Sequence, residues 1–379
     1  VIYTSGSTGQ PKGTLLQHQG ACNLVQAQIH AFNVQPQDRV LQVASFSFDA
    51  SFSEMMMALC SGASLHLATQ DELMPGAPLT EVLVTQRISH VTLVPTALAQ
   101  LSPAALPDLQ TVIVAGEACP PQLAQTWVAE KSFLNAYGPT EATVCATIMP
   151  CDETSAASTT LPIGKAMANT QVYILDESLQ LAPVGVPGEL HIGGAGVARG
   201  YLGRATLTAE KFIPNPFATG ESTAGGRLYK TGDLARYLPD GTIEFLGRID
   251  HQVKLRGFRI ELAEIEALLT EQSTVEQALV TMHERETGNQ QLVAYVKASA
   301  QTVDAATMEK HVALWQTLYD QADVQDRIEE LTFNISGWQS SYTGEAIPAE
   351  EMQEWVDETV MRIMALNPEH VLEIGCGTG

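Results

Sequence analysis

Two glycine-rich turns stand at opposite ends of this chain, and each restricts what can lie around it. Residues 5–13, SGSTGQPKG, place three glycines, three hydroxyls and Lys12 in nine positions. Glycines let backbone N–H groups approach a polyphosphate, while hydroxyls and a lysine add donors and charge. The segment is not a Walker A loop, because the GxxxxGK[ST] spacing is absent and Pro11 precedes the lysine. Residues 371–379, VLEIGCGTG, read as a strand running into a second glycine-rich turn. The first turn has no domain in front of it and the second no helix behind it. The chain is therefore expected to be a section of a larger protein with more than one activity.

The texture between the turns changes twice. Up to residue 136, short β-branched runs (Arg39–Val43, His90–Val94, Thr111–Val114) alternate with helical stretches such as Ser53–Leu59 and Pro120–Glu130. Such alternation predicts βαβ units and a largely parallel sheet. After about residue 160, Gln171–Leu175, Gly188–Ile192, Arg227–Tyr229 and Thr242–Leu246 predict strands split by Gly, Pro and Asp turns, a β-rich part. Residues 250–298 predict a small α/β unit: strand Gln252–Leu255, helix Glu261–Leu269, and strands at Ala278–Met282 and Gln291–Val296. A linker-like 297–302 precedes an acidic, helical region from Met308 that carries Trp315, Trp338 and Trp355.

Composition narrows the function classes. An apolar fraction of 45% over 379 residues supports sizeable cores in two to three domains. A net charge of −23 argues against nucleic-acid or anionic-membrane partners. The six cysteines (Cys22, Cys60, Cys119, Cys145, Cys151, Cys376) form no CxxC pair, which fits free thiols in a reducing, cytoplasmic setting. No apolar run is long enough to cross a membrane.

Residues 3–13 resemble the signature of the adenylate-forming superfamily, which holds acyl-CoA synthetases, luciferases and the adenylation domains of non-ribosomal peptide synthetases. Five further segments follow in the order of the last group: Phe48–Ser51 (FDAS), Asn135–Glu141 (NAYGPTE), Gly188–Gly194 (GELHIGG) with Ala198–Tyr201 (ARGY), Tyr229–Asp233 (YKTGD), and Gly247–Gly257 (GRIDHQVKLRG). The resemblance covers residues 1–298. It implies a large adenylation subdomain over 1–249, with its β-rich part, and a small α+β C-terminal subdomain over 250–298.

The resemblance also implies roles. Ser5, Gly6, Ser7, Thr8, Gly9 and Lys12 would hold the β- and γ-phosphates of ATP, with Asn135, Gly138 and Arg248 completing the nucleotide site. Thr140 and Glu141 would contact the α-phosphate and Mg²⁺, for which a carboxylate is a suitable hard ligand. Tyr137 would stack on adenine, and Asp233 would accept both ribose hydroxyls. Asp250 falls at the family's hinge between subdomains. Lys254 matches a lysine of the thioester half-reaction, in which the acyl group passes to the 4'-phosphopantetheine of a carrier protein. The family's second lysine, in an Asn-Gly-Lys context, has no counterpart after residue 257, and Lys297 has the wrong context. The small subdomain is thus expected to be interrupted near Val296.

Residues 370–379 resemble motif I of class I S-adenosylmethionine methyltransferases, a Rossmann-like fold. Residues 333–344 and 347–352 resemble the lead into N-methyltransferase domains inserted in adenylation domains at this point. After a linker at 299–307, residues 308–379 would begin such a domain, with Glu373, Gly375, Gly377 and Gly379 at the cofactor. The implied partners are an amino acid and the peptidyl carrier and condensation domains of the same synthetase.

The pocket lining that the resemblance implies is Asp49, Ala50, Ser53, Thr92, Ile113, Ala115, Ala136, Val144 and Cys145. Asp49 would pair with the substrate's α-ammonium. The rest is small or apolar, with Ser53 and Thr92 polar, which suits a large aromatic side chain. Tyrosine is expected first and phenylalanine second, because Ser53 leaves space and a hydroxyl for a phenol. The rival readings are a stand-alone acyl-CoA synthetase, disfavoured by Asp49, and a non-catalytic synthetase remnant, disfavoured by the intact ATP motifs.

Overall fold

A computed structural model describes residues 1–6, 10–218, 226–250, 252–255, 257–284, 290–299 and 347–365. The chain divides into two compact units, Val1–Ser299 and Ala300–Gly379.

The first unit opens with a hairpin that straddles the glycine-rich loop. Its strands β1 (Ile2–Thr4) and β2 (Lys12–Thr14) pair antiparallel with Thr4 opposite Lys12. Helix α1 (His18–Ala31) then leads into the main sheet. Strands β3 (Arg39–Leu41), β4 (Ser64–His66), β5 (His90–Leu93), β6 (Thr111–Val114) and β7 (Ser132–Tyr137) run parallel. Their crossovers carry α2 (Asp49–Ser61), α3 (Ala77–Thr85), α4 (Pro95–Leu98) and α5 (Pro121–Val128). Strands β8 (Thr147–Cys151) and β9 (Lys165–Ala166), with α6 (Glu153–Ala156) between them, extend the sheet antiparallel in the order β4-β3-β5-β6-β7-β8-β9.

The parallel part follows from its residues. Strand β6, TVIV, is buried at every position, as a β-branched run covered on both faces must be. Its alternation sorts the core in two. Val112 and Val114 join Leu79, Leu83, Leu98 and Trp127, the side of α3 to α5. Ile113 joins Leu24, Met57 and Ala58, the side of α1 and α2.

The β-rich part is antiparallel. Strands β10 (Thr170–Leu175), β11 (Gly188–Gly194), β12 (Phe212–Pro214), β13 (Arg227–Tyr237) and β14 (Ile243–Arg248) form one sheet, with α7 (Ala205–Lys211) ahead of β12. β11 lies on one edge of β13, while β12 and β14 share the other. The short strand expected at Arg227–Tyr229 is the start of the eleven-residue β13, which continues through Gly232. Gly232 has φ +73°, and a Cβ there would meet Arg248 and Asp250 side-chain atoms at 2.9 Å. A glycine that signals a turn in sequence is here the room for an ion pair.

A small α/β region closes the unit. It consists of hairpin β15 (Val253–Leu255)/β16 (Phe258–Ile260), helix α8 (Leu262–Thr270) and hairpin β17 (Val275–Glu284)/β18 (Gln290–Ala298). In the second unit the described residues form helix α9 (Ala349–Ala365), which carries Trp355. Trp315 and Trp338 lie outside the described residues. No described helix is long and apolar enough to cross a membrane.

Candidate functional site

The expected site residues gather around the end of β7 and the turn that follows it. Residues 138–146 form a tight structure: a single 3-10 turn at Thr140–Ala142, then Thr143 and Val144 both left-handed, at φ +59° and +67°. A β-branched valine in that region is strained. Thr143 Oγ1 donates to the Gly196 carbonyl at 2.6 Å, and the Ala146 N–H returns to the Tyr137 carbonyl at 2.8 Å. Gly138 closes the loop, since a Cβ there would sit 2.5 Å from the Val144 carbonyl.

This turn presents Glu141 to the first hairpin. Glu141 is fully buried, accepts from the Tyr201 hydroxyl at 2.7 Å, and has Lys12 Nζ at 3.5 Å. Lys12 in turn lies over the Tyr201 ring at 5.0 Å. Burial, and then the Glu141 charge, push the Tyr201 phenol far up, so it stays a donor. Tyr201 stands in the expected ARGY segment, but no role was read for it from sequence.

A second charged group assembles where β7 meets β13 and β14. Tyr137 donates its hydroxyl to Asp233 Oδ2, and Arg248 Nη1 lies 2.6 Å from Asp233 Oδ1. Arg248 Nη2 also reaches Asp250 Oδ2 at 2.6 Å. Burial raises the Tyr137 phenol well above its ordinary value, with the Asp233 charge adding to it. Burial opposes ionisation of Asp250, but the Arg248 bonds and charge outweigh it and hold its carboxyl low. Asn135 uses its amide to donate to the Pro162 carbonyl at 2.9 Å.

Fit to a nucleotide and a divalent cation can be judged on these groups. The hydroxyls of Thr4 and Thr14, which flank the glycine-rich loop, are buried with no hydrogen-bond partner among the described residues. They are donors in waiting beside Lys12. Glu141 is a hard oxygen ligand, and among the described residues no group of three His, Cys, Asp or Glu could hold a metal alone. A single protein carboxylate suits Mg²⁺ that takes its remaining ligands from phosphate and water.

The expected acyl pocket lies on the other face of β7. Ile113, Ala136 and Cys145 belong to one buried cluster, with Ala115, Val144 and Phe52 packed on it. Thr92 pairs with Ile113 in the sheet. Asp49 and Ala50 open helix α2, which begins four residues before the expected Ser53–Leu59. A carboxylate in the first turn lies at the positive end of the helix dipole. Ser53 is buried and donates to Gln28 Oε1 of α1 at 2.6 Å. Sequence reasoning missed Gln28. The signal was available: it falls on the buried stripe Leu24, Val25, Gln28 of α1, and a polar residue there must find a partner.

Two more residues position this pocket and went unread. Glu54, buried beside Ser53, accepts from the backbone N–H groups of Val43 at 3.1 Å and Ala44 at 3.0 Å. It thereby pins the segment that leads to Asp49. Burial pushes its carboxyl up to about 8, and the two backbone bonds only partly offset this. Glu117, after β6, accepts from the Gly257 N–H at 2.8 Å and from Thr96 Oγ1 at 2.9 Å. Phe258 packs edge-on against Phe48 at 5.2 Å, and the Gly6 N–H points to Glu264 at 3.3 Å. The 253–260 hairpin is thus tied to Glu117 and Phe48, which stand close in the chain to the expected pocket residues Ala115 and Asp49.

Not every expected residue can be placed. Ser7, Thr8 and Gly9 of the loop, and Glu373, Gly375, Gly377 and Gly379 of the second turn, lie outside the described residues. Lys254 is on β15, but its side chain lies outside them too.

Comparison with known proteins matches this geometry to a family. The family model for AMP-binding enzymes matches residues 1–202. Chondramide synthase cmdD of Chondromyces crocatus is 48% identical over 391 residues, spanning 100% of this chain and 10% of that protein. Tyrocidine synthase 1 of Brevibacillus parabrevis is 48% identical over 295 residues, 78% of this chain and 27% of that protein. The chain therefore matches only a minor part of the length of these two relatives. Among solved structures, an artificially fused adenylation–PCP di-domain peptide synthetase, NpsA-ThdA of Klebsiella oxytoca, superposes with a TM-score of 0.69 at 31% identity. That match covers 83% of this chain and 62% of the other. The adenylate-forming α/β fold expected from sequence is the fold of these peptide-synthetase adenylation domains.

Proposed function

Because this chain belongs to the AMP-binding enzyme family, we propose that it activates an amino acid with ATP as the aminoacyl-adenylate, within a non-ribosomal peptide synthetase. The observation that carries the reading is the arrangement around β7. Paired charges on one side (Lys12–Glu141–Tyr201 and Tyr137–Asp233–Arg248) meet a small apolar cluster on the other. A carboxylate oxygen of the amino acid attacks the α-phosphorus of ATP, a new O–P bond forms, and pyrophosphate leaves. Lys12 and the loop N–H groups neutralise the departing phosphates, and Thr140 borders the α-phosphate. Glu141 would hold Mg²⁺, which supplies charge neutralisation when bound. Asp233 receives the ribose hydroxyls, and Tyr137 lies against the adenine. In the second half-reaction a carrier-protein phosphopantetheine sulfur attacks the acyl carbon and AMP leaves, a step to which the resemblance assigns Lys254 after the small subdomain rotates.

Asp49 supports an amino acid over a simple acid, since its carboxylate at the first turn of α2 suits an α-ammonium group. Tyrosine, then phenylalanine, is the substrate expected from the apolar lining with its buried Ser53. The cis N-methylation reading rests on the resemblance of residues 370–379 to methyltransferase motif I and of residues 333–344 and 347–352 to the lead into such a domain. Its support is that the match to chondramide synthase runs through the whole chain, whereas the match to tyrocidine synthase 1 covers 78% of it. The test is amino-acid-dependent exchange of labelled pyrophosphate into ATP by the full-length protein, across the twenty amino acids. Exchange with tyrosine best supports the reading. A charged or small aliphatic amino acid as best substrate sinks the pocket assignment, and no exchange with any amino acid sinks the activity.

A further inference from the structure

We propose that Gln28 is a specificity-determining residue: its side-chain oxygen takes the Ser53 hydroxyl proton, which leaves Ser53 as an acceptor alone and tunes the pocket to side chains that end in a hydrogen-bond donor. This rests on the reading that Ser53 lines an aromatic amino-acid pocket.

The geometry begins with a buried amide. Gln28 is 4% exposed on α1, on the same face as Leu24. A polar group so placed is costly unless bonded. Its Oε1 lies 2.6 Å from Ser53 Oγ, on a helix 25 residues further along the chain. A serine hydroxyl has one proton and two lone pairs. With the proton committed to Gln28, Ser53 can still accept a bond but has none to give.

The direction of that bond sets the polarity of the spot. Reversed, the amide would leave Ser53 a donor, and the pocket would favour acceptors instead. Cys145, buried in the same cluster as Ile113 and Ala136, points its thiol proton at the Thr147 carbonyl, 3.4 Å away, so it does not compete for Gln28 Oε1. Two helices that share no local sequence, α1 and α2, thus set one polarity.

The test compares kcat/KM for pyrophosphate exchange by the full-length protein with four substrates of similar size. Tyrosine and 4-aminophenylalanine end in donors; phenylalanine and 4-fluorophenylalanine do not. Wild type is expected to favour the donors by about tenfold, the worth of one good hydrogen bond. Gln28→Met should bring the four to within about twofold of one another, mostly by raising KM for the donors. A purely structural loss would lower all four together. In a Ser53→Ala background, which itself should erase the preference, Gln28→Met should add nothing. An unchanged donor preference in Gln28→Met overturns the proposal. So does a preference that survives in Ser53→Ala, a variant that does not depend on Gln28→Met folding. Wild-type exchange with no aromatic amino acid at all overturns the pocket reading and the proposal with it, and does so before any variant is made.

Discussion

The two sides of β7 are prepared in opposite ways. On the expected nucleotide side, among the described residues, Lys12 is already engaged with Glu141, and Asp233 with the Arg248 guanidinium and the Tyr137 hydroxyl. On the expected acyl side the cluster is apolar, with a buried polar pair at Gln28 and Ser53. The difference is physical. Buried charges without partners are costly, so a site proposed to hold phosphates and a cation would keep its charges paired meanwhile. An apolar wall carries no such cost and can stay preshaped. On the proposed function, binding on one side would exchange existing ionic partners, while binding on the other would fill space.

The contrast breaks first, and most heavily, at Glu141. Glu141→Ala removes the expected metal ligand and leaves Lys12 without that carboxylate. Exchange activity should fall about 10²- to 10³-fold. Normal exchange in that variant would overturn the metal role.

Glu54→Gln tests the support beneath the acyl side. The folded-state value of about 8 lies above the ordinary value of 4.5. The folded protein thus holds more protons than the unfolded chain between those limits. This contribution to stability is full below about 4.5 and is lost as pH rises through 8. Both backbone bonds go to one oxygen, Oε2, which a glutamine amide oxygen can replace. The variant should therefore gain on wild type between pH 5 and pH 8, by on the order of a few kcal/mol. Urea unfolding at the two pH values measures it. A gap that shrinks toward pH 8 would show the carboxylate to be ionised at neutral pH.

Asp233→Asn sharpens the comparison. It weakens the tie to Arg248 and the expected ribose contact, so KM for ATP should rise about tenfold while KM for the amino acid stays within about twofold. Equal rises in both would mean that the two sides are not independent. A change of similar size, on the other side, is expected from Ser53→Trp. Filling the space at the polar spot should move preference from tyrosine toward phenylalanine by about tenfold, about one methylene's worth of discrimination, with KM for ATP unmoved. Retained tyrosine preference would place the phenol elsewhere.

The same division governs what could be read from sequence. The nucleotide side is written in contiguous segments, 5–13, 135–141 and 229–233, because a phosphate or ribose is met by loop backbone and its neighbours. Among the described residues of these segments, Lys12 meets Glu141 and Tyr137 meets Asp233. The parallel sheet was legible from runs such as TVIV at Thr111–Val114, and the β-rich part from its turns. What escaped were residues defined by distant partners. Gln28 acts through Ser53, Tyr201 through Glu141 60 positions away, and Glu117 through Gly257 140 positions away. No local pattern carries such pairings. Helix α2 was read too short because Asp49, Ala50 and Ser51 look like a turn. Glu54, from within α2, ties down the segment ahead of them, and Phe48 takes the N-cap position without a side-chain cap bond.

The left-handed pair Thr143–Val144 has a bearing on redesign. Val144 holds a φ that a β-branched residue disfavours by roughly 1–3 kcal/mol, so Val144→Gly should make the domain easier to fold. It would also slacken the one turn that joins the ionic side to the apolar side. Anyone recasting this pocket for a new amino acid by selecting for robustness will be drawn to that position, and will trade away shape for tolerance. On the proposed reading, changes at Gln28 or Ser53, which bond each other across α1 and α2, would alter selectivity while leaving the left-handed pair in place.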